Sequence, residues 1–203
     1  MEDFFAECFE RYPVLERCKV DISKSCDLLE NSFKAGKKLL LCGNGGSAAD
    51  CGHIAGELLK SFKSKRLVVG NFRHSVGDEI ADNLQGALPV ISLPDMVAIN
   101  TAYANDCDPR YNFAQLVYGL GFTGDVLLAI STSGNAKNVN LAATVARAKG
   151  MSVVGLTGES GGTLASKCNV CIRVPESETF KVQELHLPVY HTLCLVLERR
   201  FFG

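Results

Sequence analysis

Continuous apolar runs alternate along this chain with segments in which apolar residues recur at helical spacing. Five runs are predicted to be strands, since apolar runs of this length are typical of strands buried on both faces. They span residues 38–42, 88–93, 126–130, 151–157 and 170–174. Because helical segments separate them, we expect an α/β fold with a doubly wound, parallel five-stranded sheet. Such sheets bind ligands at the carboxyl ends of their strands.

The N-terminal part of the chain is predicted to form a helical hairpin. Apolar residues recur there at helical spacing, Pro13 interrupts the run, and Gly36 is placed to cap the second helix. We expect one domain over residues 1–203. In it, residues 1–36 form a hairpin used in oligomerisation, and residues 37–203 form the α/β core with the C-terminal helix.

The last helix is predicted over residues 178–199 and is apolar on nearly every side. This pattern predicts burial, in the core of an oligomer. Pro188 must kink the helix or restart it, because proline lacks the amide that a helix interior needs. Gln183 and His191 are polar side chains within this apolar segment.

Two connecting stretches have little periodicity. Residues 65–88 are the least patterned part of the chain, and a loop of this length in a compact domain is usually functional or mobile. Residues 105–109 are predicted to be a turn that follows a short helix over residues 96–104.

Charge and composition exclude several classes of function. The net charge is −1, so no positive field favours nucleic acid as a partner. No apolar run is long enough to span a membrane, and the N-terminus lacks the pattern of a signal peptide. The nine cysteines lie mostly in apolar runs and show no paired spacing. We therefore expect reduced, mostly buried thiols in a cytoplasmic protein.

The first candidate site follows the strand at residues 38–42. A turn built from Gly43, Asn44, Gly45 and Gly46 leads to Ser47, which is expected to be the N-cap of a helix. A strand, a glycine-rich turn and a helix N-terminus together make a site for anions.

The second candidate site follows the strand at residues 126–130. Ser131, Thr132 and Ser133 are expected to open a helix that runs to about residue 149, although such residues are also ordinary capping residues. Neither loop has the order of a dinucleotide fingerprint or the Lys-Ser/Thr of a P-loop. Two hydroxyl-bearing loops fit a phosphorylated sugar better than a nucleotide.

A possible metal site involves both helices that carry histidine. His53 and Glu57 are spaced i, i+4 and lie on one helix face, and Gln183 and His191 add further ligand atoms. Gln183 and His191 are separated by ~12 Å of rise and about 80° of rotation on a straight helix. Both reach one ion only if Pro188 interrupts the helix or if they come from different subunits.

Taken together, these motifs resemble the phosphoheptose isomerases, which belong to the sugar isomerase (SIS) domain family. The resemblance covers most of residues 28–199 and rests on four ordered motifs. They are Cys-Gly-Asn-Gly-Gly-Ser with His53 and Glu57, the segment from Asp125 to Asn135, Leu156-Thr-Gly with Gly-Gly162, and Val182-Gln-Glu-Leu-His with His191.

The resemblance implies a homotetramer that converts sedoheptulose 7-phosphate to glycero-manno-heptose 7-phosphate for surface polysaccharide. Position by position, it implies substrate contacts and one zinc ion per subunit. The implied substrate contacts are Asn44, Gly45, Gly46, Ser47, Glu57, Asn105, Asp106, Ser131, Thr132, Ser133 and Gln183. The implied zinc ligands are His53, Glu57, Gln183 and His191. Glu57 is the implied base and His191 the implied acid for an enediol reaction.

Three departures from the family pattern lie around the expected substrate. Ala136 stands where the family usually has Ser, Phe180 and Lys181 replace common family residues before Gln183, and the 65–88 segment is longer than usual. They put the particular phosphosugar in doubt.

Two other functions are compatible with a SIS domain. One is a non-catalytic protein that binds sugar phosphates or associates with a replication initiator, and the other is a tetramer scaffold without ligand. The first predicts loss of the metal ligands, yet all four residues are present. The second leaves two hydroxyl-lined loops unexplained.

Overall fold

A computed structural model describes residues 3–203, so Met1 and Glu2, which belong to the predicted hairpin, lie outside the described residues. Its centre is one sheet of five parallel strands in the order β2-β1-β3-β4-β5. The strands are β1 (Leu39–Cys42), β2 (Val90–Ser92), β3 (Val126–Ile130), β4 (Ser152–Thr157) and β5 (Val170–Arg173). The predicted doubly wound parallel sheet is confirmed.

Nine α-helices surround the sheet within residues 3–203. They are α1 (Phe4–Arg11), α2 (Lys19–Lys34), α3 (Gly46–Leu59), α4 (Gly70–Val76), α5 (Asp78–Asn83), α6 (Val97–Asp106), α7 (Asn112–Leu120), α8 (Lys137–Ala148) and α9 (Thr179–Phe202). Three short 3-10 turns connect some of them.

Alternate residues of β1 face two separate cores. Leu39 and Leu41 pack with residues of α1, α2, α3 and α9, whereas Leu40 and Cys42 pack with α7 and α8. The order of the strands reverses between β1 and β3, because the chain crosses from β1 to β2 on one side and continues through β3 to β5 on the other. The loops that follow β1 and β3 therefore meet at the carboxyl edge, where doubly wound sheets bind ligands.

The N-terminal helices pack on this chain's own last helix. Asp3 caps α1 by accepting hydrogen bonds from the amides of Phe5 and Ala6, and both α1 and α2 contact α9. A 3-10 turn over Pro13–Cys18 joins them. The single-domain organisation and the use of this hairpin in oligomerisation stay predictions.

Two predicted connections are wrong in detail. The 65–88 segment is not a structureless loop, since it contains α4 and α5 and is closed by an antiparallel bridge between Leu67 and Gln85. Arg73 stabilises it by pairing with Asp78 and Asp82. The expected turn at residues 105–109 begins later, because α6 runs through Asp106.

Helix α9 is continuous from Thr179 to Phe202 in spite of Pro188. Of the two expected effects of Pro188, a kink or a restart, the restart is therefore wrong. The Thr192 hydroxyl donates to the Pro188 carbonyl at 2.8 Å. Leu187 is exposed in the single chain, so burial of this side of the helix in an oligomer core stays a prediction. No helix within residues 3–203 is long and apolar enough to cross a membrane.

A buried ion pair joins the end of α9 to the segment after α3. Arg66 and Glu198 are each 1% exposed, and the Arg66 Nε donates to Glu198 Oε1 at 2.8 Å. The Glu198 carboxylate also accepts from the amides of Phe62, Lys63 and Ser64. Burial alone would raise the pKa of Glu198, but these donors outweigh burial and the pKa is lowered.

The replacement Glu198→Ala is expected to lower the free energy of unfolding by about 3–5 kcal/mol, since Arg66 would stay buried without its counter-charge. Urea unfolding at pH 7 measures the loss. The control Glu16→Ala removes an exposed carboxylate and is expected to change stability by less than about 0.5 kcal/mol. Equal losses in the two variants would contradict a stabilising role for the buried pair.

Because the pKa of Glu198 is lowered on folding, its contribution is complete above its ordinary value near 4.5. The contribution is lost as the pH falls through the lower, folded value. The difference in stability between the native chain and Glu198→Ala should therefore shrink on acidification below that point.

Candidate active site

The carboxyl ends of β1 and β3 open into a cavity of about 340 Å³. Its walls are the loops after these two strands and the first turns of α9. The lining residues are Asn44, Gly45, Gly46, Ser47, Ile130, Ser131, Thr132, Ser133, Ala136, Thr179 and Gln183. The fold thus brings together eight of the predicted substrate contacts, from three separate stretches of sequence.

The glycine-rich turn brings the backbone of α3 against α9. Gly45, not Ser47, is the N-cap, with a φ of 54° that favours glycine, and Ser47 lies buried in the first turn. Ser47 donates its amide to the Asn44 carbonyl. A Cβ atom on Gly46 would lie 2.3 Å from the Gln183 Nε2, so any larger residue there would displace the Gln183 amide.

The second loop is a turn, closed by the Gly134 amide donating to the Ser131 carbonyl at 3.0 Å, and it does not open a helix as expected. Helix α8 begins at Lys137, six residues after Ser131, and the Ser133 hydroxyl accepts from the Asn135 amide at 3.1 Å. Gly134 has a φ of 67° and packs against the backbone of Gly161. Within residues 3–203, the amides of Gly46, Thr132 and Ser133 have no hydrogen-bond partner. They are free to donate to an anion.

A chain of asparagine side chains supports the first loop. Asn44 and Asn138 exchange two hydrogen bonds of 2.9 Å. Asn138 also donates to Asn112, and Asn112 donates to Asn100 at 3.0 Å. The sequence pattern pointed to Asn44 but not to Asn138, Asn112 or Asn100. They are far apart along the chain, so no local pattern could have linked them.

The second group of predicted residues lies where α3 packs on α9. His53 Nε2 lies 3.3 Å from Glu57 Oε1 and 3.4 Å from His191 Nε2. The rings of His53 and His191 meet edge to face, with centroids 5.0 Å apart. Burial, and then the nearby His53, lower the pKa of His191 and favour its neutral form.

A hydrogen-bond chain orients His53. The Tyr190 hydroxyl donates to Asp50 Oδ1 at 3.2 Å, so its oxygen must accept from the Nδ1–H of His53 at 3.0 Å. Burial and Asp50 raise the pKa of Tyr190, which keeps this proton in place. In neutral His53 the lone pair of Nε2 then points toward Glu57 and His191. The sequence analysis did not single out Asp50 or Tyr190.

This arrangement fits a cation. The Tyr190 hydroxyl engages His53 Nδ1, so Nε2 is the ring nitrogen that faces Glu57. The Glu57 Oε2 is buried with no hydrogen-bond partner, and Lys60 Nζ lies 3.7 Å from it. Two atoms bound tetrahedrally to zinc lie about 3.4 Å apart, given bonds near 2.0–2.1 Å. The contacts of His53 with Glu57 and His191 have this length.

The described residues do not form a closed metal site as they stand. Within residues 3–203, no three or more His, Cys, Asp or Glu side chains are arranged to hold an ion. Gln183 lies in the cleft beside Gly46, and it has no described contact with His53 or His191.

Several other residues of the expected site and motifs, among them Phe180 and His186 of the fourth motif and its approach, lie apart from this pair of sites. Asn105 and Asp106 are exposed at the end of α6, where the Asn105 amide donates to the Asp106 carboxylate. Phe180 is 56% exposed at the start of α9. His186 is fully buried, and burial lowers its pKa to about 4, so it is a neutral core histidine.

Comparison with known proteins agrees with this geometry. Profiles of the SIS domain match residues 4–90 and 101–196. A phosphoheptose isomerase of Rhodospirillum rubrum is 39% identical over 193 residues, which cover 95% of this chain and 91% of that protein. The chain belongs to the phosphoheptose isomerase family. A phosphoheptose isomerase of Roseiflexus sp. is 41% identical over 84% of this chain and 77% of its own length.

Solved structures of phosphoheptose isomerases share the fold over nearly the whole chain. The protein from Neisseria gonorrhoeae superposes with a TM-score of 0.77 at 31% identity, covering 96% of this chain and 95% of its own. The protein from Francisella tularensis gives 0.76 at 28% identity, covering 97% and 95%. The resemblance to the phosphoheptose isomerase family that the four motifs indicated is confirmed.

The replacement Tyr190→Phe is expected to lower the free energy of unfolding by about 1–3 kcal/mol, because it leaves the Asp50 carboxylate buried without a donor. Urea unfolding measures the effect. Tyr118→Phe, on an exposed ring, is the control and is expected to be nearly neutral. A neutral Tyr190→Phe would show that the hydroxyl does not support Asp50.

Proposed function

We propose that this chain is an aldose–ketose isomerase of phosphorylated sugars that interconverts sedoheptulose 7-phosphate and D-glycero-D-manno-heptose 7-phosphate. The proposal is supported by one arrangement above all. A polar cleft with free backbone amides lies beside the same helix pair that joins Glu57 to His53 and His191. Family membership supports the choice of a phosphoheptose.

The phosphate is expected to bind in the cleft. The N-terminus of α3 and the free amides of Thr132 and Ser133 supply donors, and the neighbouring hydroxyls add more. An anion at a helix N-terminus is stabilised by these amides and by the helix dipole. Ala136 removes one hydroxyl that the family usually has, and the adjacent Lys137 lines a second cavity instead of this cleft.

Glu57 and His191 are the proposed catalytic pair. Isomerisation removes a proton from the carbon next to the carbonyl and returns one to the neighbouring carbon through an enediol. The Glu57 carboxylate is the base. Its Oε2, which accepts no hydrogen bond and lies 3.7 Å from Lys60 Nζ, is the acceptor for this proton. Neutral His191 is the acid that donates to the substrate oxygen. Asn105 and Asp106 stay proposed substrate contacts.

His53, Glu57, Gln183 and His191 are the proposed ligands of one zinc ion per subunit. Zinc, when bound, would polarise the substrate carbonyl. Asp50 and Tyr190 hold His53 in the tautomer that a metal ligand needs. Because α9 is uninterrupted, Gln183 has to reach along the helix or come from another subunit.

The remaining parts of the proposal follow from the family. We expect a homotetramer in the cytoplasm, without nucleic-acid or membrane partners, that supplies heptose for surface polysaccharide such as lipopolysaccharide or capsule. A protein that binds sugar phosphates without turning them over is the alternative, and the presence of both Glu57 and His191 favours the enzyme.

Purified protein is expected to isomerise sedoheptulose 7-phosphate, to lose this activity after treatment with a chelator, and to regain it with zinc. Glu57→Gln and His191→Asn should each lower kcat by about 10²–10⁴, the usual contribution of a general acid or base. A coupled assay of product formation measures both effects.

The control for these variants is His74→Asn, which changes a histidine outside the cleft and should leave activity unchanged. Binding of the sugar phosphate without turnover, with metal present, would favour the non-catalytic alternative. Absence of both binding and metal would overturn the proposed function.

The approach of Gly46 to Gln183 gives a second test. Gly46→Ala is expected to displace Gln183 and weaken substrate binding by about tenfold or more, because the new methyl would overlap the Gln183 amide. Gly56→Ala is the matched control in the same helix, since its Cβ would meet no atom within 4 Å. Calorimetric titration with sedoheptulose 7-phosphate compares the variants. Equal affinity of the two variants for the sugar phosphate would show that substrate binding does not depend on the close packing of Gly46 against Gln183.

A further inference from the structure

Two cysteines lie side by side at the edge of the sheet, away from the active site. Cys168 and Cys171 have the spacing Cys-x-x-Cys, so the statement that no cysteines show a paired spacing is wrong. A Cβ atom on Gly155 of β4 would lie 2.7 Å from the Cys168 sulfur and 3.0 Å from the Cys171 sulfur. Both sulfurs therefore converge on one point, above a residue without a side chain.

The surroundings of the two thiols differ. The neighbouring Cys168 lowers the pKa of Cys171, whereas the same proximity and burial raise the pKa of Cys168. The Thr157 hydroxyl lies 3.7 Å from the Cys171 sulfur, and the Cys168 thiol contacts the Leu164 carbonyl at 3.2 Å. Cys171 is thus the thiol that more readily becomes a thiolate, which is the nucleophilic form.

The pair is accessible, unlike most thiols of this chain. A cavity of about 360 Å³ opens on it, and Lys24 and Arg173 line the same cavity. Both thiols are half-buried, whereas Cys42, Cys51 and Cys194 are buried in the core, where burial raises their pKa. Asp21 is the one acidic residue of this lining, so the two cations leave a net positive charge that favours a thiol reagent carrying carboxylates.

We propose that Cys168 and Cys171 form a reversible dithiol–disulfide couple that exchanges with small, negatively charged disulfides. The Cys171 thiolate attacks one sulfur of the external disulfide and releases one thiol. Cys168 then loses its proton and attacks the Cys171 sulfur, which releases the second thiol. Two protein thiols are oxidised and one external disulfide is reduced to two thiols.

The couple is connected to the phosphosugar cleft through the end of β4. Thr157 contacts the Cys171 sulfur, and the next residue, Gly158, donates its amide to the Thr132 carbonyl at 2.9 Å. A Cβ atom on Gly158 would lie 2.8 Å from that same oxygen, so the two loops touch. Oxidation should therefore weaken phosphosugar binding, a consequence that rests on the proposed function.

The first experiment incubates the full-length protein with oxidised and reduced glutathione at several ratios, followed by acid quenching and alkylation. Trypsin cleavage after Lys167 and Arg173 places both cysteines in one peptide, residues 168–173. We expect this peptide to lose about 2 Da as the ratio becomes oxidising, and to regain two alkylated thiols under reduction. Two alkylated thiols at every ratio would overturn the proposal.

Single variants separate the roles of the two sulfurs. Cys168→Ser retains a hydroxyl donor and should trap Cys171 as a mixed disulfide with glutathione, whereas Cys171→Ser should leave Cys168 largely unmodified. Cys107→Ser, at an exposed and solitary cysteine, is the control and should form the 168–171 disulfide like the native chain. Equal glutathione adducts on Cys168 and Cys171 in the two variants would contradict the assignment of Cys171 as nucleophile.

The second experiment compares sedoheptulose 7-phosphate affinity in the reduced and oxidised protein by calorimetry. We expect a several-fold loss on oxidation that is absent in Cys168→Ser kept in reductant. Equal affinity in both states would overturn the connection to the cleft. If neither state binds the sugar, the proposed function fails, while the peptide masses still decide whether the couple exists.

Discussion

The packing of α9 along α3 is the interaction on which the candidate site depends. The two helices are parallel, and their contacts keep the same register along both. Gly46 meets Gln183, and His53 meets Tyr190 seven residues further along in both helices. Seven residues are close to two helical turns, so the same faces stay in contact over this distance. The buried pair of Arg66 and Glu198 then fixes the far end of both helices.

The ion pair does more than neutralise two charges. Arg66 also donates to the carbonyls of Leu58 and Glu57, so it satisfies the last turn of the helix that carries His53 and Glu57. Glu198 meanwhile holds the amides that follow this helix. Free carbonyls and amides at a buried helix end are costly. One ion pair therefore stabilises the segment that follows α3 and positions Glu57, the proposed catalytic carboxylate.

The site places polar groups together in a way that a stable core would avoid. His53 Nε2 lies 3.3 Å from Glu57 Oε1, and one oxygen of Asp50 and one of Glu57 are buried without a hydrogen-bond partner. Buried polar groups without partners cost free energy, so their retention here is consistent with a binding role. The surrounding contacts, from Tyr190 to the asparagine chain, hold these groups in place.

The sequence by itself determined the layer architecture and the ligand edge of the sheet. Continuous apolar strands predicted a sheet buried on both faces, and glycine and hydroxyl residues after β1 and β3 predicted the cleft. Both predictions succeeded because each depends only on residues that are neighbours in the sequence. Four ordered motifs also identified the family. Local signals failed at element ends, as at Ser47, at Ser131 and in the 65–88 segment, where tertiary contacts decide which residues become helical.

Only the tertiary structure decided how distant residues meet. The continuity of α9 through Pro188 depends on its packing against α1, α2 and α3, which no property of the proline reveals. The same packing brings Tyr190 and Asp50 to His53 and joins Arg66 to Glu198. Cys168 and Cys171 meet over Gly155 because β4 and β5 pair in one register. Contacts between residues far apart in sequence follow from strand order and helix register, and these belong to the folded chain.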